Sequence, residues 1–587
     1  MLQSFLQKLR RHWLFLAFIP VLTFLFCSAY YYWINHSFLS FTDSLFQSEI
    51  VQSTLNLHYT LNDPSSCGIE NYPVTLGKAD PESLLSSCQT LNKYHTALRK
   101  IPHTWLSQKN RLTYDILDLC FETQKQGEKY LLYQEPLGPS LGTQAQLPVL
   151  LAEYSFHSTK DIEDYLTLLE QIPAYYDGLL SFEQAKAEAG LFMNDTIAQG
   201  IIDQCNAFLG TEKENILFTT FETRLENQKN LSEKEKLDFI QKNENAVETC
   251  VFPAYKKLSE GILALKGSGN NELGLCYYPD GKSYYTYLLK DLTGCYNSID
   301  DILERIQRQI RTDITKLRAL VQNNPSLLTD AGIETLQNNT AAISDDPQKL
   351  LADLQDKISA DFPEPPSVSY DVKYVEKSLE NYLSPAFYLT APLDNLNQNV
   401  IYINRGAGYE GLDLYSTLAH EGYPGHLYQT VFSSSSGINP VRSLLNFGGY
   451  VEGWATYVEM MSFSYADVDE ATAELYRINR SLTLGISSLL DIFIHYYGYD
   501  KSQVSACLAQ FGFTGENVTE SFFNIILESP GNYLKYYLGC LCFQDLQNAA
   551  RKKAGENFSL KNFHKKILET GPCPFPVLYS YVLQQYK

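Results

Sequence analysis

The segment 418–426 contains two histidines and a glutamate whose residue types and spacing are typical of a metal site that includes a general base. His420 and Glu421 are adjacent, and His426 follows six positions after His420. Neutral imidazoles and carboxylates suit zinc, and three such ligands leave a position open for a water molecule whose pKa falls to about 7. In zinc peptidases, a glutamate directly after the first histidine takes the proton of that water. We therefore predict one zinc ion per chain, with His420 and His426 as ligands and Glu421 as the general base.

The spacing of the two histidines departs from the usual His-Glu-x-x-His pattern, in which they share one helix face. Six positions correspond to about 240° around an undistorted helix at roughly 100° per residue, which would point His426 away from the metal. Pro424 removes a helical N–H, and Gly425 accepts unusual dihedral angles. The sequence therefore predicts a bend or bulge that turns His426 back.

A second segment, 450–459, offers the third ligand. Glu452 and Glu459 are seven positions apart and project from nearly one helix face, while Trp454 and Tyr457 provide bulk for the other faces. One carboxylate can reach the metal, and the other, two turns away, would hold a ligand histidine or a substrate group. We predict Glu452 as the ligand and keep Glu459 as the alternative.

The elements that position these residues are predicted to be mainly helices. Apolar residues recur every three to four positions in the segments 161–171, 182–189, 299–321 and 347–358. Ser298 and Asp300 lie near the start of the third segment, where helix-capping residues are expected. The Pro-rich stretch 362–366 is the best candidate boundary. The sequence thus predicts a mainly α fold, with an N-terminal helical part (38–366) and a C-terminal catalytic part (367–587) that carries the metal site.

One β-strand is predicted directly before the metal helix. Val400–Ile403 is β-branched and aromatic, which is typical of a strand in a small sheet. Arg405 follows and could meet a substrate carboxylate, although a lone arginine near a cleft is more often structural.

The N-terminus resembles a membrane anchor. An apolar run at 13–33 carries no charge over a length that can span a bilayer, and it follows Lys8, Arg10 and Arg11. The basic flank predicts a cytoplasmic tail (1–12), a transmembrane anchor (13–33) and an extracellular catalytic domain. A cleaved signal peptide is the competing interpretation. Cys27 suggests a lipoprotein, but Phe26 before it argues against that cleavage site.

Charge and cysteine content limit the partners and the covalent chemistry. The net charge of −21 excludes binding to a nucleic-acid backbone and favours neutral or cationic peptides as partners. Beyond Cys27, eleven cysteines remain, so at least one is unpaired unless an intermolecular bond forms. The pairs that close short loops are Cys67 with Cys88 and Cys276 with Cys295.

Two further patterns compete for chemical roles. Asp491 and His495 are four positions apart and share a helix face, so they form a second possible ligand pair, although a role in orienting a ligand or contacting substrate is favoured. Gly138–Gly142 matches the Gly-x-Ser-x-Gly elbow of serine hydrolases around Ser140. That elbow must follow a buried strand, and 131–133 is a poor strand, so a turn is favoured.

The two central motifs carry a family resemblance. His-Glu-x-x-Pro-Gly-His at 420–426 and Glu-Gly-Trp-Ala-x-Tyr-x-Glu at 452–459 resemble the DUF885 family of bacterial proteins, which looks related to zinc-dependent gluzincin peptidases and carboxypeptidases. The resemblance covers nearly everything after about residue 40. It implies a gluzincin-like cleft between the two helical parts, an edge strand at 400–403 that pairs with an extended peptide, and a Tyr536 hydroxyl that stabilises an oxyanion.

Together these features predict a membrane-anchored, extracellular zinc metallopeptidase that hydrolyses short peptides, with carboxypeptidase-like action implied by the resemblance. The alternative is a catalytically inactive surface protein of the same fold that binds peptides or cell-wall fragments. The intact Glu421 favours catalysis, because a metal site with a purely structural role would not need a carboxylate there.

Overall fold

The computed structural model describes residues 2–330, 343–375 and 383–586, together with residues 334, 336, 339, 340, 377 and 380. Side chains are described from residue 19 onwards, apart from Glu212. Helices make up 72% of the chain, which confirms the predicted mainly α class.

The first half of the described chain is entirely helical. Its α-helices are α1 (Leu2–Ile50), α2 (Thr54–Thr60), α3 (Pro81–Leu98), α4 (Gln108–Gly127), α5 (Thr143–Ala152), α6 (Thr159–Glu188), α7 (Asp195–Gly210), α8 (Ile216–Glu226), α9 (Glu233–Ala246), α10 (Phe252–Leu265), α11 (Gly281–Thr293), α12 (Ile299–Asn323) and α13 (Pro347–Lys357). The predicted segments 299–321 and 347–358 match α12 and α13 closely. Ser298 caps α12, as its position suggested, because its side chain accepts a hydrogen bond from the N–H of Asp301 (3.2 Å).

The second half begins with three strands and continues as helices. The strands are β1 (Tyr370–Tyr374), β2 (Ala386–Leu389) and β3 (Asn399–Ile403). The helices are α14 (Gly411–Glu421), α15 (His426–Ser435), α16 (Gly448–Ser462), α17 (Glu470–Ile492), α18 (Lys501–Ala509), α19 (Glu516–Glu528), α20 (Asn532–Ala554), α21 (Leu560–Thr570) and α22 (Phe575–Leu583).

The predicted strand exists as β3, but its predicted place at the sheet edge is wrong. The strand order is β1-β3-β2, with β3 parallel to β1 and antiparallel to β2. All five residues of β3 are buried. A strand that pairs on both sides has no free N–H and C=O groups for a substrate, so only β1 and β2 are edges of this sheet.

The largest hydrophobic core joins both halves of the chain. It contains Tyr285 and Ile306, from α11 and α12, together with Trp454 and Phe543, from α16 and α20. The predicted division at residue 366 therefore does not coincide with a division between cores. Because α11 and α12 pack with the C-terminal helices, they help to fix the helices that carry the predicted ligands.

Two glycines let α16 and α20 approach closely. A Cβ added to Gly453 would lie 2.5 Å from the Cα of Gly539, so any side chain at this crossing would separate the helices. Glu452 and Glu459 lie on α16, and Tyr536 lies on α20. The close crossing therefore holds the predicted ligands and the predicted oxyanion donor in one rigid unit.

Helix α1 packs on the body of the protein through its C-terminal part, where Ile34, Phe38 and Leu45 are buried. The predicted cytoplasmic tail (1–12) and the first residues of the predicted anchor (13–33) lie outside the side chains that the structure describes. Within the described part of the chain, we find no helix that combines the length and the apolar character needed to cross a bilayer.

The cysteine side chains are all free thiols. Neither Cys67 with Cys88 nor Cys276 with Cys295 is joined by a disulfide. The fold is therefore held by its hydrophobic cores and by hydrogen bonds.

Candidate metal centre

The segment between the two histidines breaks one helix and starts another. Helix α14 ends at Glu421, the Tyr423–Pro424 peptide bond is cis, and α15 begins at His426. The predicted bend at Pro424 and Gly425 is thus a complete break rather than a bulge. The indole N–H of Trp454 donates to the carbonyl of Pro424 (2.9 Å), which ties the break to α16.

Gly425 is needed at this break because the chain passes directly over the end of α14. A Cβ at Gly425 would lie 1.8 Å from the carbonyl oxygen of His420 and 2.4 Å from that of Ala419. Neither backbone oxygen can move away without disrupting α14. The close passage is what brings His426 back beside His420, whose ring centroid lies 4.8 Å from that of His426.

We expect Gly425→Ala to lower the free energy of unfolding by about 1–3 kcal/mol, because the added methyl group overlaps backbone atoms. Urea unfolding followed by circular dichroism measures this change. Gly210→Ala is the matched control, since Gly210 ends α7 and a Cβ there meets nothing within 4 Å. A Gly425→Ala variant as stable as this control would contradict the packing described here.

Three side-chain atoms converge between α14, α15 and α16. Nε2 of His420 lies 3.6 Å from Oε2 of Glu452, and Nε2 of His426 lies 3.4 Å from the same oxygen. These separations exceed a normal N–H···O hydrogen bond of about 2.7–3.2 Å. Two atoms bound at about 2.0–2.2 Å to a tetrahedral ion are separated by roughly 3.3–3.5 Å. The residues therefore fit a zinc ion bound by two imidazoles and one carboxylate.

Glu459 lies behind this group. Its Oε2 is 3.0 Å from Nδ1 of His420, and its Oε1 accepts a hydrogen bond from Nε of Arg480 (2.6 Å). Burial alone would raise the pKa of Glu459, but Arg480 and His420 lower it to about 2. A charged Glu459 fixes the tautomer of His420 that leaves Nε2 free to bind a metal, as carboxylate partners of ligand histidines do.

The surroundings of His420 favour a bound cation. Burial would lower the pKa of its imidazole, but the nearby carboxylates of Glu452 and Glu459 raise that pKa to about 10. Burial would likewise raise the pKa of Glu452, but His426 and His420 lower it far below its usual range. The same negative surroundings that hold a proton here would stabilise a divalent metal ion.

Glu421 lies beside the ligands and is held by a different element. The N–H of Tyr388, in β2, donates to Oε2 of Glu421 (3.0 Å). One side-chain atom of Glu421 and one nitrogen each of His420 and His426 lie within 4.8 Å of one another. Of the Glu421 and Glu452 carboxylates, that of Glu452 fits the predicted third ligand better, because its Oε2 lies within 3.6 Å of Nε2 of both histidines. Burial raises the pKa of Glu421, which makes it a stronger base.

Tyr536 lies beside His420. Its ring centroid lies 6.2 Å from that of His420, and among the described residues its hydroxyl has no hydrogen-bond partner. Burial, followed by the charge of Glu452, raises the pKa of Tyr536 far above its usual range, so the hydroxyl keeps its proton. A protonated, unpaired hydroxyl is available to donate a hydrogen bond to a substrate oxygen.

Asp491 and His495 lie outside this group and bind structural partners. Asp491 accepts hydrogen bonds from the Tyr285 hydroxyl (2.5 Å) and from the N–H of Gly531 (2.8 Å). His495 accepts from the N–H of Leu275 (3.2 Å) and donates to the carbonyl of Ile526 (3.0 Å). Asp491 thus secures the turn that starts α20, and His495 has both nitrogens occupied.

The turn around Ser140 does not have the geometry of a nucleophile elbow. The residues before it, Glu128–Tyr133, form a 3-10 helix rather than a strand. The N–H of Ser140 donates to Oε1 of Glu528 (2.8 Å), and the segment is an exposed turn that leads into α5. Arg405 also does not reach the centre, since its guanidinium stacks on the ring of Tyr374 (3.6 Å).

The sequence did not predict the roles of Arg480 and Tyr388. Arg480 lies on α17, whose spacing indicates only an amphipathic helix, and Tyr388 acts through its backbone N–H. Neither role has a signal in the sequence, because each depends on how distant elements pack.

Comparisons with known proteins identify a family whose model covers most of the chain. A family model described as "Bacterial protein of unknown function (DUF885)" matches residues 65–582. No curated protein matches the chain.

Two solved structures resemble this one over almost their full length. One is the crystal structure of the putative lipoprotein from Colwellia psychrerythraea, with a TM-score of 0.82 and 18% identity, covering 94% of this chain and 99% of that chain. The other is a putative lipoprotein of unknown function from Shewanella oneidensis, with a TM-score of 0.62, 17% identity and the same coverage. At such low identity these likenesses establish the fold alone.

Proposed function

Because the chain belongs to the DUF885 family of bacterial proteins of unknown function, we propose its activity from its own side chains: a zinc-dependent metallopeptidase that hydrolyses short peptides. One observation carries the proposal. Oε2 of Glu452 lies 3.4–3.6 Å from Nε2 of both histidines, and Glu421 lies beside them. Ligands and base are thus present together, which a purely structural metal site would not require.

Each residue of the centre has a distinct role in this proposal. A zinc ion bound by His420, His426 and Glu452 would polarise the scissile carbonyl and lower the pKa of water. Glu421 takes the proton of the attacking water and passes it to the leaving amine, while the N–H of Tyr388 holds its carboxylate in place. The Tyr536 hydroxyl donates to the oxygen on which negative charge develops.

The peptide-binding edge is assigned to β2. The N–H of Tyr388 donates to Glu421 and therefore points away from β3. Alternate residues of a strand direct their backbone N–H and C=O groups to the same side, so the groups of Ala386 also point away from β3. Ala386 is buried and the Tyr388 N–H is already used, so the carbonyl group of Tyr388 is the acceptor assigned to the peptide. A peptide that extends the sheet along β2 would pass directly beside Glu421.

The substrate is proposed to enter a cleft between the N-terminal and C-terminal helical parts. The side chains of Glu452 and His426 are 24% and 14% exposed, so neither is fully enclosed in the core. A cavity of about 710 Å³ lies elsewhere in the fold, lined by residues such as Arg305, Cys542 and Phe575.

The proposed location is the outer face of the membrane, with the segment 13–33 as anchor. Phe24, Phe26 and Tyr32 on α1 are 71–72% exposed, which suits a lipid environment better than water. Cell fractionation tests this location. Recovery of the full chain in the soluble fraction at physiological salt would disprove the anchor.

The proposed activity is tested on the full-length protein in detergent, by elemental analysis together with a peptide-cleavage screen. We expect about one zinc ion per chain, cleavage that chelation abolishes, and recovery when zinc is restored. Ser140→Ala is the control for serine hydrolysis and should leave cleavage unchanged. A chain that binds zinc but cleaves no peptide would instead indicate the inactive binding protein.

A further inference from the structure

Lys535, on α20 next to Tyr536, carries an ammonium group without an acidic partner. Among the described residues, its Nζ forms no salt bridge or hydrogen bond, and its one ring contact is with Tyr536 (5.9 Å). Arg480, which lies beside His420 through Glu459, is already engaged in an ion pair with that carboxylate.

The side chain of Lys535 packs against the start of α16, the helix that carries Glu452. A Cβ added to Gly448 would lie 2.8 Å from its Cδ, and Glu452 follows Gly448 by one helical turn. Nζ lies 5.9 Å from the Tyr536 ring, which is itself 6.2 Å from the His420 ring, so Nζ is no more than about 12 Å from that histidine. Lys535 therefore lies within a few residues' length of the proposed metal centre.

The ammonium group is also poorly compensated. Burial lowers the pKa of Lys535, and the charge of Glu452 opposes this effect only in part. A partly buried charge is costly unless a counter-ion or hydrogen bond compensates it. An anionic group of the substrate would provide that compensation.

We propose that Lys535 binds the free C-terminal carboxylate of the peptide, so that the protein removes short fragments from C-termini. This inference rests on the proposed peptidase function. Each extended residue spans roughly 3.3–3.6 Å, so a carboxylate one to three residues beyond the scissile bond falls within the reach of Nζ. An internal segment of a long chain, which lacks that carboxylate, would bind less well.

The test compares one peptide in two forms, with a free and with an amidated C-terminus. We expect kcat/KM to be roughly 10- to 100-fold higher for the free acid, as a charge-assisted contact provides. Lys535→Met should reduce this ratio to about one, mainly by raising KM for the free acid. Lys535→Arg should keep part of the preference. Lys552→Met, an equal charge change at the exposed far end of α20, should keep all of it.

A binding measurement separates this inference from the proposed activity. In a Glu421→Gln background, calorimetry should show tighter binding of the free acid than of the amide, and Lys535→Met should remove the difference. Equal cleavage of both forms by the native protein, or an unchanged ratio in Lys535→Met, would overturn the role of Lys535 while leaving the peptidase intact. Absence of cleavage of any peptide by zinc-loaded protein would overturn both.

Discussion

Glu421→Gln is expected to lower kcat by roughly 100- to 10,000-fold, the range that a positioned general base contributes. The glutamine keeps the size of the side chain and can still face the N–H of Tyr388 through its carbonyl oxygen. It cannot accept a proton from water. Steady-state kinetics and elemental analysis of the same sample measure the effect, and zinc content should stay near one ion per chain.

Glu410→Gln is the matched control for this variant. Glu410 is exposed and precedes the first residue of α14, the helix that ends at Glu421, so the substitution removes one carboxylate at the far end of the same element. It should keep full activity. A Glu421→Gln variant that loses zinc along with activity would indicate a ligand rather than a base. One that stays active would remove Glu421 from the mechanism.

Spacing in the sequence was sufficient to predict which of these side chains lie together, but not what surrounds them. The seven-residue separation of Glu452 and Glu459 placed both on one face of α16, and the structure has them at Nε2 and Nδ1 of His420 respectively. Pro424 and Gly425 indicated an interruption, because proline removes a helical N–H and glycine accepts unusual dihedral angles, and both effects act locally. These predictions depended only on residues close together in the chain.

Features that depend on distant partners could not be predicted in this way. The β-branched run at 400–403 indicates a strand, but whether that strand is central or at the edge depends on β1 and β2, which pair with it from elsewhere in the chain. Helix α6 shows the same limit. The segments 161–171 and 182–189 were predicted as separate, yet they form one helix through Pro173, because buried residues such as Ile172 and Tyr176 continue the apolar face across the proline.

Glu452→Ala is expected to lower zinc affinity by well over 100-fold and to abolish activity, because it removes one of three ligands. Glu459→Gln should cost only about 10- to 100-fold in zinc affinity, the usual effect of losing the partner of a ligand histidine. The glutamine can still accept a hydrogen bond from His420, but it loses the charge paired with Arg480. Competition with a chelator of known affinity measures both constants on one scale.

The ranking of these two variants decides which glutamate binds the metal. If Glu459→Gln loses zinc and Glu452→Ala retains it, the ligand assignment is reversed, and the 3.4–3.6 Å separations at Glu452 would reflect hydrogen bonding between charged side chains. If both variants lose zinc equally, the two carboxylates act as one unit through His420. A larger loss at Glu452 fits the geometry, since its Oε2 faces both histidine nitrogens, whereas Glu459 faces only Nδ1 of His420 and reaches any metal through that ring.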